Sequence, residues 1–204
     1  MEIKRLPLGP IEANCYLIST EKAAVVIDPG FYSQEVLDFL NQNSSKERLI
    51  LLTHGHFDHV AFANELRDLS NTKIAIGLDD NQYLNNHNLN LSAQFGMPLA
   101  PFTADVLLND GDKFSIGDIN FKAIHTPGHT VGSFCFLVEN YLFSGDTLFN
   151  MSIGRTDFPL GNYKVLENSV KKLYQLSPEI TVLSGHGPET TLGFEKSHNP
   201  YIRG

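Results

Sequence analysis

Short apolar runs, many of them β-branched, recur along this chain: CYLIS at 15–19, AAVVI at 23–27, RLILL at 48–52, KIAI at 73–76, FKAI at 121–124, SFCFLV at 133–138 and ITVL at 180–183. Each is closed off by Gly, Pro, Asn or Asp, which is the pattern of strands ended by turns. Glu21-Lys22 reads as the tip of a hairpin between the first two. Elsewhere the apolar period lengthens to that of a helix. Tyr32 to Leu40 repeats at Val36, Leu37 and Leu40, and Val60 to Leu69 repeats at Ala63, Leu66 and Leu69. Tyr163 to Leu176 carries Val165, Leu166, Val170, Leu173 and Leu176 on one stripe. Residues 85–101, NNHNLNLSAQFGMPLAP, have no clear period and read as a short capped helix or a loop. Strand meanders with separate helices predict sheets covered by helices on their outer faces, an α/β sandwich.

The length, 204 residues, fits one domain over 1–204 with no linker or internal repeat. Acidic residues outnumber basic ones 23 to 15, for a formal charge of −8. That balance excludes the clustered Lys and Arg of a nucleic-acid-binding surface, while leaving room for a small-molecule substrate at a locally positive site. The start, MEIKRLPLGP, has no apolar run behind its basic residues, so no secretory leader is expected. Nor does any uninterrupted apolar stretch reach the length of a membrane span. Cys15 and Cys135 each sit within an apolar run and are expected to be buried free thiols of a reducing compartment, which implies a cytoplasmic location. The 14 Phe residues are expected in the core.

The densest chemistry lies in LLTHGHFDH at 51–59, where four metal-ligand side chains fall within six positions directly after a strand. His54 and His56 alternate and therefore leave a strand end facing the same way. With a helix running from Val60, Asp58 and His59 lie at its first turn and point elsewhere, so two adjacent coordination sites are expected. Three later segments repeat one format, a strand followed by a Gly-bearing turn and one ligand-type residue. IHTPGHTVGS supplies His129, LFSGDTLF supplies Asp146 and LSGHGP supplies His186. Glycine permits the close approach that aims a short side chain at a common centre. Of the other histidines, His125 is expected to be structural or to support a ligand, and His87 and His198 to face solvent.

THGHFDH, HTPGHT, SGDTLF and SGHGP, in that order, resemble the signature of the metallo-β-lactamase superfamily, and specifically its glyoxalase II-like branch. NCYLI, VIDPG and GRTDFP resemble segments of the short bacterial glyoxalase II type, so the likeness spans nearly the whole chain. The resemblance implies a four-layer αββα sandwich with two divalent metals, zinc first and iron or manganese as alternatives, at one edge of the sheets. By analogy His54, His56 and His129 would bind one metal and Asp58, His59 and His186 the other, with Asp146 bridging. Larger glyoxalase II enzymes hold glutathione with a C-terminal helical domain. This chain ends soon after His186, so that domain is expected to be missing. Arg155, Lys196, Tyr201 and Arg203 are then candidate substrate contacts, although Arg155 and Asp157 also suit a brace for the loop after Asp146.

Imidazoles and carboxylates suit zinc, iron and manganese alike. The expected reaction is hydrolysis of a thioester such as S-D-lactoylglutathione or a related 2-hydroxyacyl thioester. A metal-bridging hydroxide would attack the carbonyl, and Asp58 would orient or deprotonate the water. A thiol of pKa roughly 8.5 leaves with little need of protonation, which suits a site poor in general acids. The main alternative is a persulfide dioxygenase, which resembles these motifs but uses a single iron. A β-lactamase is disfavoured because zinc β-lactamases commonly place Cys among their ligands, and neither Cys15 nor Cys135 lies in a ligand motif. A non-enzymatic metal-binding scaffold would be expected to have lost ligands, and all seven are present.

Overall fold

The computed structural model describes residues 1–204. Six strands form one sheet in simple chain order: β1 (Glu2–Leu8), β2 (Ala13–Ser19), β3 (Ala23–Ile27), β4 (Glu47–Leu51), β5 (Ile74–Gly77) and β6 (Val106–Leu108). The second sheet has the order β14-β13-β10-β9-β8-β7, from β7 (Lys113–Ile116), β8 (Ile119–His125), β9 (Phe134–Val138), β10 (Tyr141–Gly145), β13 (Thr181–Ser184) and β14 (Thr190–Thr191). A two-stranded ribbon, β11 (Leu148–Phe149) with β12 (Ser152–Ile153), follows β10. The helices are α1 (Gln34–Gln42), α2 (Phe57–Val60), α3 (Ala63–Ser70), α4 (Tyr163–Leu173) and α5 (Leu192–His198).

Alternation along the strands sorts the core into three layers, because successive side chains leave a strand on opposite faces. Between the sheets lie Tyr16, Ile18, Val25, Ile27, Leu49 and Leu51 against Phe121, Phe134, Phe136 and Phe143. The other face of the first sheet, including Leu17, Val26, Ile50 and Leu52, packs on Val36 and Leu40 of α1 and Ala63 and Leu66 of α3. Ile124, Leu142 and Val182 of the second sheet pack on Leu166, Val170 and Leu173 of α4 and Leu192 of α5. The order is therefore helices, sheet, sheet, helices: the αββα sandwich. Ser33, Asn162 and Thr191 cap α1, α4 and α5 by accepting from the backbone of Val36, Val165 and Phe194, each cap being worth about 1 kcal/mol. Cys15 and Cys135 are buried free thiols on opposite outer layers, with both sheets between them. No helix is long and apolar enough to cross a membrane.

The structure departs from the expected elements in several places. The helix expected from Val60 to Leu69 is two helices, because the Phe62 N–H bonds to the Pro29 carbonyl and breaks the run between α2 and α3. Asp58 and His59 are thus inside a helix that starts at Phe57. The helix expected to reach Leu176 stops at Leu173. Strands β1, β6, β7, β11, β12 and β14 and helix α5 have no counterpart among the expected elements; β1, EIKRLPL, carries charges among its apolar residues, as suits a half-exposed edge strand. Residues 78–85 form a 3₁₀ helix, and 86–101 continue in turns and loop.

Candidate metal centre

All seven sequence-predicted ligands lie just beyond the ends of strands at one edge of the two sheets. His54, His56, Asp58 and His59 follow β4, His129 follows β8, Asp146 follows β10 and His186 follows β13. Parallel pairing of β10 with β13 brings Asp146 beside the Gly185–His186 turn, and the Gly185 N–H donates to the Gly145 carbonyl at 2.8 Å. Glycine is required at two of these turns. Gly145 has φ +48° and a Cβ there would lie 2.4 Å from Thr53 Oγ1, while a Cβ on Gly185 would lie 2.2 Å from Asp146 Oδ1.

The side chains gather in two groups. Ligand atoms of His54, His56 and His129 all lie within 4.8 Å of one another, as do those of Asp58, His59 and His186. Asp146 touches both: its Oδ2 is 3.5 Å from His129 Nε2 and its Oδ1 is 3.4 Å from His59 Nε2. His56 Nδ1 and His129 Nε2 approach to 2.9 Å, and His186 Nε2 lies 3.2 Å from Asp58 Oδ2. His54 Nε2 and Asp146 Oδ1 are buried without a hydrogen-bond partner. Buried polar atoms are nearly always partnered, so these converging orphans fit a cation better than they fit a finished protein interior.

Three of the imidazoles have their tautomers set from outside. Asp28 accepts from the Thr53 N–H at 2.8 Å and the Thr53 hydroxyl at 2.6 Å, so that hydroxyl is free only to accept from His54 Nδ1 at 3.1 Å. Asp28 Oδ2 also accepts from His59 Nδ1 at 2.9 Å, and the Arg155 carbonyl accepts from His129 Nδ1 at 2.7 Å. Each Nδ1 therefore carries the proton, and each Nε2 turns a lone pair toward the centre, as a metal ligand must. Asp28 also lies within ligand distance of His54 and His59. Its oxygens are occupied by these donors, so it orients ligands rather than adding one.

Charge divides the two groups. Burial, then the neighbouring imidazoles, hold His54 well below the usual histidine range, and burial does the same to His56 and, opposed by Asp146, to His129. In the other group burial also pushes His59 down, but Asp58, Asp146 and the bond to Asp28 outweigh it and raise it well above that range. His186 is raised by Asp146 and Asp58. Asp58 is held low by His59 and His186 against the effect of its burial. The protein alone thus keeps protons where carboxylates converge, the place at which a metal would supply the positive charge.

Asp80, which sequence reasoning misses, ties the ligand loops together. It is fully buried and accepts from Gly55 N–H at 2.8 Å, Thr130 Oγ1 at 2.7 Å and Gly132 N–H at 2.7 Å. It thus clamps the His54-Gly55-His56 turn of the first sheet to the His129 loop of the second. Burial lifts its carboxyl to about 6. The other histidines stay out of the cluster. His125 donates to the Val131 carbonyl at 2.9 Å and braces the His129 loop, His87 meets Ser92 Oγ, and exposed His198 bonds to Phe194.

A cavity of about 240 Å³ opens over this floor, bounded by His56, Asp58, His129, Asp146 and His186, and by Ile11, Phe57, Leu91, Phe95, Phe149, Phe158 and Arg155. Of the candidate substrate contacts, only Arg155 lines it. Lys196 donates to the Tyr174 carbonyl and Arg203 to the Asn199 carbonyl, and neither they nor Tyr201 borders the cavity.

A four-layer sandwich holding two convergent His/Asp groups around a shared carboxylate at its sheet edge defines a metal-binding α/β protein. The chain belongs to the metallo-β-lactamase superfamily, whose family model matches residues 8–186, and its relatives place it among metal-dependent hydrolases. It is 35% identical to the hydroxyacylglutathione hydrolase GloC of Haemophilus influenzae, over 99% of this chain and 98% of that protein. The crystal structure of the BLEG-1 B3 metallo-β-lactamase is similar at 38% identity and TM-score 0.92, covering 100% of both chains. That of TTHA1623 in a di-iron-bound form is similar at 35% identity and TM-score 0.86, covering 98% of this chain and 100% of that one.

Proposed function

We propose that this protein is a dinuclear metal-dependent thioesterase acting on S-D-lactoylglutathione or a related 2-hydroxyacyl thioester. The observation that carries this reading is Asp146, whose carboxylate stands between the two ligand groups, 3.5 Å from His129 Nε2 of one and 3.4 and 3.7 Å from His59 and His186 Nε2 of the other. The second set, Asp58, His59 and His186, gives a second ion ligands of its own, whereas a persulfide dioxygenase would use a single iron at similar motifs, so metal content separates the two. In this reading His54, His56 and His129 hold one ion, Asp58, His59 and His186 the other, and Asp146 lies between them. Two bound divalent ions would supply Lewis acidity and an ionised water at neutral pH. Zinc suits this donor set, as does iron, which the di-iron form of TTHA1623 contains.

The chain's own residues do the rest. Asp28, Thr53 and the Arg155 carbonyl keep the imidazole lone pairs aimed at the centre. Asp58, at the cavity floor and 3.2 Å from His186 Nε2, is placed to orient the attacking water and accept its proton. The water oxygen bonds to the carbonyl carbon, the C–S bond breaks, and an acid and a thiol are released. No free acid other than metal ligands lines the cavity, which suits a thiol leaving group better than an amine. The likeness to GloC supports the same substrate class.

The likeness to the B3 metallo-β-lactamase favours a second reading, β-lactam hydrolysis. The deciding experiment measures metal content and anaerobic turnover of S-D-lactoylglutathione beside a chromogenic cephalosporin. Two metals per chain with oxygen-independent thiol release supports the thioesterase. Cephalosporin turnover without thiol release moves the assignment to the β-lactamase. One iron per chain with oxygen uptake on glutathione persulfide moves it to the dioxygenase.

A further inference from the structure

The wall of the cavity is as informative as its floor. Phe57 and Phe95 face each other at 4.8 Å between ring centroids, Phe158 lies 5.7 Å from the His56 ring, and Phe149 lies 6.1 Å from the His186 ring. Ile11 and Phe95 reach the rim, where they are 40% and 50% exposed, so apolar surface stands uncovered at the mouth. Such surface gains by covering it with an apolar ligand.

Arg155 lines this cavity and is paired at the surface, its side chain and that of Asp157 each 65% exposed. Its Nε and Nη2 donate to the two carboxylate oxygens of Asp157 at 2.9 and 2.7 Å, and its guanidinium lies 4.3 Å from the centre of the Phe158 ring. A fork-to-fork pair of this kind uses the geometry by which arginine would read a substrate carboxylate. The pair takes two of the five guanidinium N–H donors and holds the cation over the Phe158 ring.

We infer that the preferred substrate of this site is a thioester whose thiol arm is uncharged and apolar, seated against Phe57, Phe95 and Phe158, and that Asp157 competes with carboxylate-bearing thiols such as glutathione for Arg155. This rests on the thioesterase reading and narrows it. A carboxylate reaching Arg155 would have to compete with Asp157 for the guanidinium, whereas an aromatic or aliphatic thiol would cover Phe95 and Ile11.

The test compares the D-lactoyl thioesters of glutathione, N-acetylcysteamine and benzyl mercaptan with metal-loaded protein, each rate being divided by that of hydroxide-catalysed hydrolysis. Normalised kcat/KM is expected to be at least 10-fold higher for the benzyl thioester than for the glutathione thioester, with N-acetylcysteamine between them. In Phe95→Ala the benzyl advantage should shrink several-fold through KM with kcat little changed. In Asp157→Asn, which frees Arg155, the glutathione thioester should gain at least 3-fold relative to the benzyl one. A glutathione thioester equal to or better than the benzyl one in the unaltered protein overturns the inference and leaves the thioesterase standing. An unchanged ratio in Asp157→Asn overturns the part given to the pair. Hydrolysis of none of the three by dimetal protein overturns the thioesterase reading itself.

Discussion

Replacing Asp28 by Asn tests whether one carboxylate sets the ligands of both metal positions. Asp28 has φ +53°, a left-handed conformation that Asn tolerates better than other residues with a side chain, so the backbone is expected to hold. The chemistry changes instead. Asp28 accepts three hydrogen bonds, from Thr53 N–H, Thr53 Oγ1 and His59 Nδ1, and an amide can accept on only one side. With its NH₂ toward Thr53 Oγ1 and His59, the amide drives both to act as acceptors. His59 then moves its proton to Nε2, and the freed Thr53 hydroxyl donates to His54 Nδ1 and drives that ring the same way. One histidine from each group loses the lone pair it offers a metal. With the amide turned over, its NH₂ opposes the Thr53 N–H, and the turn carrying His54 is pushed aside. Either outcome acts on the ligands.

The size of the effect follows from the hydrogen bonds that an amide at position 28 cannot accept. Loss of a partner that orients a ligating His typically costs about 10- to 100-fold in metal affinity. A buried donor left facing a donor costs about 1–3 kcal/mol of stability. The Asn variant is therefore expected to fold with a lowered Tm and to bind zinc at least 10-fold more weakly at both positions, read by competition with a chromogenic chelator. Nitrogen-15 NMR of the imidazoles would follow the proton as it moves. Binding of both metals within threefold of the parent would refute the tautomer argument.

Asp146→Ala is expected to lower metal loading at both positions and abolish turnover, because both groups lose the same carboxylate; metal analysis of the purified variant checks this. His129→Ala should also collapse activity and empty its own position first. Gly185→Ala puts a methyl group 2.2 Å from Asp146 Oδ1 and 2.9 Å from His59 Cε1. The strain should cost about 1–3 kcal/mol and most of the metal, seen as a lower Tm together with lower zinc content. Asp80 makes the metal-free protein pH-sensitive. Its carboxyl is raised from 3.8 to about 6, so the folded state binds its proton more tightly than the unfolded chain. Its contribution is therefore fully present below about pH 4 and is lost as pH rises through 6, by about 3 kcal/mol in all. In chelator-treated protein, urea unfolding of the parent and of Asp80→Asn should diverge across that window. A stability difference independent of pH would refute this.

The floor of the site was legible in the sequence because its ligands are crowded in the chain. Four fall within residues 54–59, and the other three repeat a strand-turn-ligand format that survives translation into structure. The supporting residues were not legible, for a physical reason. Asp28 stands just past a strand end and Asp80 beside Asp79 in the 3₁₀ helix, and their partners lie 25 to 52 positions away, so nothing local distinguishes them from turn residues. The break between α2 and α3 is likewise tertiary, since the Phe62 N–H is claimed by a carbonyl 33 positions earlier. Arg155 shows a different limit. The sequence offered both a substrate contact and a brace with Asp157, and the structure shows it lining the cavity while paired to Asp157.

Chemistry and substrate choice are built from different material in this molecule. The ligands hang from both sheets, and their relative placement depends on hydrogen bonds that cross between them. Asn14 N–H donates to the Gly185 carbonyl at 2.7 Å, Phe134 N–H to the Thr53 carbonyl at 2.8 Å, and Asp80 joins the two ligand loops. The inter-sheet core beneath holds these strands in register, so assembling the metal floor and closing the sandwich are one event. The cavity wall is drawn from turns and loops: Ile11 from the β1–β2 turn, Leu91 and Phe95 from the segment after the 3₁₀ helix, Phe158 from the segment before α4. Changes there leave the ligand set untouched while altering what covers the apolar rim. Relatives can therefore share the floor and differ in substrate, so the ligand motifs carry the family and the wall carries the specificity.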